Sequence, residues 1–210
     1  MLIAIVDYGA GNLRSIQKAF QKVGFSAEIT RDKAAIRSAK GIVLPGVGSF
    51  DAAISELRTL GLEGVLEEAI ALGKPFLGIC LGLQHLFETS EEGKERGLSI
   101  LPGKVVKFNF SGTPWSNLSI PHMGWNRLLF HHPLGERAPI FEGLEEGTMM
   151  YFAHSYYVVP KDESIIASRT DYGIEFPSST WKGNLFGVQF HPEKSGEAGL
   201  KVLKNFGKLL

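Results

Sequence analysis

The sequence is short of cysteine and carries no excess of either charge. Cys80 is the only cysteine among 210 residues, which excludes an internal disulfide and predicts a reducing cytoplasm. Twenty-two basic residues balance twenty-two acidic ones, so no partner with an anionic surface, nucleic acid or membrane, is expected. Apolar runs stay well below the roughly 18 residues of a membrane span, and the start "MLIAIVD" lacks the basic flank of a signal peptide.

The first hundred residues alternate between strand-like and helix-like patterns. Strands are predicted at 2–6, 26–30, 41–46 and 75–79, and helices at 12–24, 32–39, 50–60, 62–72 and 81–90. This alternation predicts a mostly parallel sheet with helices on both sides. Later runs are strand-like and separated by turns, at 104–110, 127–132, 149–159, 164–170, 173–183 and 184–190, and only residues 196–210 return to helix. We expect a single α/β domain over residues 1–210, with a β-rich second half.

Cys80 stands in "GICLG", at the junction of a predicted strand and a predicted helix. A lone cysteine between apolar residues is usually a small buried hydrophobe. The flanking glycines, however, match the nucleophile elbow of hydrolases, in which a sharp turn exposes the nucleophile at the carboxyl end of a strand. Ligands of open α/β sheets bind at that edge, and the start of a helix favours a thiolate.

A base for this thiol is sought among six histidines. His191 closes a buried strand in "GVQFHPEKS", and Glu193 follows two residues later, so both reach the edge of Cys80 if the strands are parallel. This is the Cys–His–acid pattern of an activated thiol, although a strand-end histidine with a solvated glutamate is the plainer alternative. His85 is expected to point away from the elbow, and His131-His132 to be solvated.

A glycine-rich turn, "LPGVGSF", closes another buried strand. Gly46 and Gly48 let the backbone approach a ligand and present N–H groups, as acyl transfer requires for its oxyanion. The alternative is an ordinary tight turn.

Together these motifs identify a resemblance. "GICLGLQ", "GVQFHPEKS" and "LPGVG" resemble the class I (triad) glutamine amidotransferases, and "DYGAGNLRS", "IPHMGWN" and "YFAHSYYV" narrow the likeness to the glutaminase subunits of imidazole glycerol phosphate synthases. The resemblance spans essentially the whole chain. It implies a flavodoxin-like, doubly wound sheet with an added antiparallel portion, and a glutaminase that needs no cofactor and no metal.

The resemblance also implies roles for particular residues. Cys80 attacks glutamine, His191 carries the proton and Glu193 orients His191. The oxyanion donors would be Leu81 and the Val47–Gly48 region. The residues implied in substrate binding are Gly46, Gly48, Leu81, Gln84, Glu92, Ser155 and Tyr156.

A partner is expected because this chain lacks a phosphate-binding motif and because free ammonia is protonated in water. The resemblance implies a heterodimer with a (β/α)8-barrel cyclase that makes imidazole glycerol phosphate and AICAR for histidine biosynthesis. Asn12, Trp125 and Lys194 are predicted to contact it. Two alternatives stay open: an amidotransferase subunit of another synthase (anthranilate, GMP, carbamoyl phosphate or aminodeoxychorismate), and a non-catalytic flavodoxin-like module.

Overall fold

A computed structural model describes residues 2–130 and 135–210 of the chain, so the predicted His131-His132 turn lies outside the described residues. The strands are β1 (Leu2–Val6), β2 (Ser26–Thr30), β3 (Gly41–Gly46), β4 (Phe76–Cys80), β5 (Thr89–Ser90), β6 (Gly103–Lys107), β7 (His122–Arg127), β8 (Leu129–Phe130), β9 (Met149–His154), β10 (Tyr156–Pro160), β11 (Ile166–Asp171), β12 (Glu175–Lys182) and β13 (Leu185–Val188). The α-helices are α1 (Leu13–Lys22), α2 (Lys33–Ser38), α3 (Phe50–Thr59), α4 (Glu63–Ala71), α5 (Leu81–Gln84) and α6 (Gly196–Gly207).

The main sheet has the order β2-β1-β3-β4-β13-β12-β11-β8. Its first five strands are parallel, and β12, β11 and β8 continue it in antiparallel pairs. The order 2-1-3-4 is that of flavodoxin-like sheets, as the resemblance implies. Because β13 runs parallel to β4, the residues after Val188 reach the same edge of the sheet as Cys80.

Two smaller sheets lie beside the main one. β10, β6 and β5 form the first, and β7 and β9 pair in antiparallel fashion in the second. The apolar run at 149–159, which reads as one strand in the sequence, is therefore divided at Ser155 between two sheets.

The prediction of a helix over residues 81–90 is wrong. α5 ends at Gln84, and Thr89–Ser90 form a strand parallel to β6. The reason lies in burial: every side chain from Leu81 to Phe87 is buried, so this segment has no solvent face on which a surface helix could continue. The chain instead tightens, as Leu86 and Phe87 donate to carbonyls only three residues back.

Helices cover both faces of the parallel strands. One apolar cluster joins the sheet to α1 and α6, and the other joins it to α3 and α4. Asp32 caps the start of α2, because its carboxylate accepts hydrogen bonds from the Ala34 and Ala35 N–H groups. Among the described residues, no helix is both long and apolar enough to cross a membrane.

Candidate active site

Cys80 occupies a strained turn between β4 and α5. Its φ of 54° lies in the left-handed region, which a non-glycine residue adopts at a cost of about 1–3 kcal/mol. The flanking glycines serve a steric purpose: a Cβ on Gly82 would lie 1.8 Å from the Leu44 carbonyl oxygen, and one on Gly78 would lie 2.7 Å from that of Gly82. The turn thus needs glycine on both sides and strain at the cysteine itself, as a nucleophile elbow does.

His191 and Glu193 form a buried pair at the same edge of the sheet. The His191 Nδ1 atom lies 2.9 Å from the Glu193 Oε1 atom, and the two side chains are 4% and 1% exposed. Strand β9 holds the pair in place, since the His191 N–H donates to the Tyr151 carbonyl at 2.9 Å. A histidine so oriented has its Nε2 atom free for a second partner.

That second partner is Cys80. Burial acts against a charge on His191, but the side-chain interactions with Cys80 and Glu193 outweigh it and raise the pKa of His191 to about 10. This favours the imidazolium form of His191, which interacts with the Cys80 and Glu193 side chains. The Oε2 atom of Glu193 is buried and has no hydrogen-bond partner among the described residues. The contact of the Glu193 carboxylate with His191 is therefore made through Oε1.

The glycine-rich turn after β3 lies opposite Cys80, because Gly46 is the register partner of Cys80 in the sheet. Gly46 is buried and does not line the cavity; a Cβ there would lie 2.6 Å from the Tyr8 hydroxyl. Gly48, with φ of 102°, has open space around its Cα. The turn is therefore tightly packed at Gly46, whereas Gly48 has room for a ligand beside it.

Tyr8 anchors this turn, although sequence reasoning assigned it no role. Its buried hydroxyl donates to the Pro45 carbonyl. Burial, with a smaller contribution from the charge of Cys80, raises the pKa of Tyr8 and keeps the phenol neutral. Its position after β1, in "DYGAGN", was the available signal.

A cavity of about 210 Å³ opens at Cys80. This volume suits an amino acid better than the drug-sized ligands that fill roughly 300–1,000 Å³. It is lined by Val47, Gly48, Cys80, Leu81, Gln84, Glu92, Pro121, Met123, Ala153, His154, Ser155 and Tyr156. Eight of these residues were singled out from the sequence, and Pro121, Met123, Ala153 and His154 were not.

The amide of Gln84 is held in a fixed orientation. Its Nε2 atom donates to the Tyr156 carbonyl and to the Gln189 Oε1 atom, each at 3.1 Å. Both amide protons are thereby used inside the protein. The Gln84 Oε1 atom is left to meet a ligand that donates an N–H group.

Glu92 is a further residue that lines the cavity. Its Oε2 atom accepts from the Phe50 N–H at 3.0 Å, and burial raises the pKa of this carboxyl. The side chain thus links the cavity to the first residue of α3.

His85 points away from the elbow, as expected. Its Nε2 atom lies 3.2 Å from the Phe50 carbonyl oxygen, its ring packs edge-on against Phe50, and burial lowers its pKa to about 4. His85 is therefore neutral at physiological pH. Together with Glu92 it holds both main-chain groups of Phe50.

The residues predicted to contact a partner lie on the exterior. Trp125 is 52% exposed and packs edge-on against Tyr151, and the Lys194 ammonium lies 5.8 Å from the centre of the same ring. Asn12 is half-buried and precedes α1, which contacts the 3₁₀ turn Pro192–Lys194. Trp125 and Lys194 therefore share one surface.

The described residues contain no group of three or more His, Cys, Asp or Glu side chains that could hold a metal ion. Comparison with known proteins identifies the family of the chain. The model of the glutamine amidotransferase class-I family matches residues 4–209. The chain belongs to this family.

Two similar proteins place this class-I amidotransferase more narrowly. The imidazole glycerol phosphate synthase subunit HisH of Syntrophotalea carbinolica is 49% identical over 99% of this chain and 100% of its own length. The HisH subunit of Moorella thermoacetica is also 49% identical, over 99% of this chain and 95% of its own length. Within the class-I amidotransferases, the chain thus belongs with the glutaminase subunits of imidazole glycerol phosphate synthase.

Solved structures agree on the fold of the amidotransferase. The structure described as PurLQS from Thermotoga maritima superposes with a TM-score of 0.75 at 21% identity, covering 99% of this chain and 98% of that one. At this identity the likeness concerns the fold alone.

Proposed function

We propose that Cys80, His191 and Glu193 are the catalytic residues with which this chain hydrolyses glutamine to glutamate and ammonia. The observation that carries the proposal is the elbow cysteine in an amino-acid-sized cavity, next to a buried His191–Glu193 pair. A structural cysteine needs neither the strained backbone nor the buried carboxylate.

The reaction follows from this arrangement. The Cys80 sulfur attacks the side-chain carbonyl carbon of glutamine, and the carbonyl oxygen becomes an oxyanion. The N–H of Leu81, at the start of α5, has no partner within the helix and is suited to bind that oxygen, with a second donor from Val47 or Gly48. His191, which has taken the thiol proton, gives that proton to the leaving nitrogen. The oxyanion then collapses, the C–N bond breaks, ammonia departs and a γ-glutamyl thioester remains on Cys80. Water then attacks the thioester carbonyl, and His191 accepts the proton of that water. The C–S bond breaks, glutamate is released, and Cys80 and His191 share one proton as before.

The rest of the substrate is held at the cavity walls. The Gln84 Oε1 atom and the Glu92 carboxylate are acceptors and suit the α-ammonium group, while Ser155 and Tyr156 line the cavity beside them. Gly46 supports the turn by packing, and we assign it no direct contact with glutamine.

We propose further that the ammonia passes to a cyclase subunit, a (β/α)8 barrel on a separate chain, which makes imidazole glycerol phosphate and AICAR. Ammonia released into neutral water is protonated and loses its nucleophilicity, so a sheltered route is needed. The outer face of the β7–β9 sheet, formed by Met123, Trp125, Met149 and Tyr151, fits such a partner: the first three are exposed apolar side chains, and they continue the cavity wall at Met123.

The experiment compares the parent with Cys80→Ala, using 6-diazo-5-oxo-norleucine as a covalent glutamine mimic. We expect glutamine to be hydrolysed only by the parent, in the presence of a barrel cyclase, and the label to sit on Cys80, since the chain has no other thiol. Glutamine should protect Cys80 from labelling. An inert thiol would indicate a non-catalytic module, and stimulation by a different synthase would reassign the partner.

A further inference from the structure

Gln189 lies between β13 and His191 and is fully buried. It takes no part in the proton transfers of the proposed reaction. Its Nε2 atom lies 3.6 Å from the Cys80 sulfur, within the range of a hydrogen bond to sulfur. Its main-chain N–H donates to the Ser178 carbonyl at 2.9 Å, which ties it to β12. A buried amide beside the reacting sulfur calls for a chemical explanation.

The orientation of the Gln189 amide follows from its neighbours. The Tyr156 carbonyl can only accept a hydrogen bond, so the Gln84 atom that faces it must be Nε2. The same Nε2 atom faces Gln189, whose contacting atom must therefore be the acceptor Oε1. This leaves the Gln189 NH₂ group toward Cys80, so sulfur is the acceptor.

A buried histidine pair secures the first link of this chain. The Tyr156 carbonyl also accepts from the His154 Nδ1 atom at 2.8 Å, and the His122 Nδ1 atom lies 3.0 Å from His154 Nε2. Burial lowers the pKa of His154 to about 3 and that of His122 to about 4, so both rings are neutral and each donates in one direction. The Asn126 amide completes the chain at His122.

We propose that Gln189 is a fourth catalytic residue, whose amide N–H donates to the Cys80 sulfur and stabilises its thiolate form. The proton of the thiol passes to His191, and the Gln189 donor opposes its return. No bond of Gln189 itself forms or breaks. This role of Gln189 rests on the proposed glutaminase function only where turnover is measured. The effect of Gln189 on the reactivity of the Cys80 thiol can be measured without glutamine.

Several titratable groups surround the site of Cys80 and Gln189. His191 and Glu193 follow β13, Tyr8 follows β1, and Glu92 and His154 line the cavity. Gln189 is neutral, so its replacement by methionine removes a donor without changing the charge, and the volume is nearly conserved.

The test measures how fast iodoacetamide alkylates Cys80 in parent and Gln189→Met, over a range of pH. We expect the variant to react about tenfold more slowly at neutral pH, with the midpoint of its pH profile displaced upward. With glutamine as substrate, kcat should fall by a similar factor, and any rise in KM for Gln189→Met should be absent from Gln189→Glu, because the methionine variant also loses the acceptor that orients Gln84. Gln189→Glu keeps the acceptor for Gln84 but places an oxygen at the sulfur, and should react more slowly still.

Asn205→Leu is the matched control. Asn205 is another buried amide; it lies on α6, does not line the cavity, and donates to the Ile140 and Glu142 carbonyls. Its loss should lower the unfolding temperature without changing the alkylation profile. The inference is overturned if Gln189→Met and Gln189→Glu both fold and alkylate within twofold of the parent. If alkylation depends on Gln189 but the parent hydrolyses no glutamine, the proposed function fails and the thiolate role stands.

Discussion

The two faces of the β7–β9 sheet have opposite surroundings, although their residues alternate along the same two strands. The inner face carries His122, Met150, Phe152 and His154, all buried, and His154 also lines the cavity at Cys80. The outer face carries Met123, Trp125 and Met149, all exposed. One small sheet thus has a buried side and a side on which apolar side chains are exposed within the described chain. Catalytic loss should follow changes near the first, and loss of association should follow changes on the second.

The largest effect is expected at Glu193, the buried carboxylate that is paired with His191. Glu193→Gln keeps the shape and an acceptor for His191 but removes the charge, so kcat for glutamine should fall about 10²–10³-fold. The pKa of His191 should fall from about 10 as well, which an NMR titration of the histidines would detect. Glu197→Gln, an exposed carboxylate on α6, is the control and should change neither quantity. Equal kcat in the two variants would exclude an orienting role for Glu193.

A second effect concerns acid stability. Burial lowers the pKa of His85 and His122 to about 4 and that of His154 to about 3. Because the unfolded histidine has a pKa near 6.5, the unfolded state binds protons first, and stability present above pH 6.5 is lost as the pH falls toward 4. Denaturant unfolding should show a decrease of about 3 kcal/mol over this window for each histidine that stays neutral in the folded protein.

His191 has the opposite sign. Its raised pKa contributes stability below pH 6.5 that is lost as the pH rises through about 10. Glu193→Gln should therefore reduce the alkaline loss and leave the acid loss intact. A stability profile that is flat between pH 6.5 and 4 would contradict the neutral state of the buried histidines.

The smallest effect is expected on the outer face. Trp125→Ala should weaken association with a barrel cyclase by about 2 kcal/mol, or roughly thirtyfold in Kd, and leave folding unchanged. Trp115→Ala is the control, because Trp115 is equally exposed, at 52%, but lies outside the β7–β9 sheet. Calorimetric titration would measure both. Equal affinities would move the docking surface elsewhere.

Much of the site was visible in the sequence because its residues end strands. The runs at 2–6 and 41–46 match β1 and β3, since strands buried on both faces read as continuous apolar segments, and the short segment at 26–30 matches the partly exposed edge strand β2. Cys80 and His191 follow such runs directly, and parallel pairing brings their ends together. The prediction of a helix over residues 81–90 was wrong because a segment that is buried on all sides has no alternation of apolar and polar residues from which a helix end could be inferred.

Local sequence determined the parallel strands, the glycine-flanked turn at Cys80 and the pairing of His191 with Glu193, because each depends on residues that are neighbours along the chain. Tertiary structure alone decided that Tyr8, Gln189 and the His122–His154 pair surround the site. Those groups come from segments far apart in the sequence, and their hydrogen bonds have direction only after three sheets have packed together.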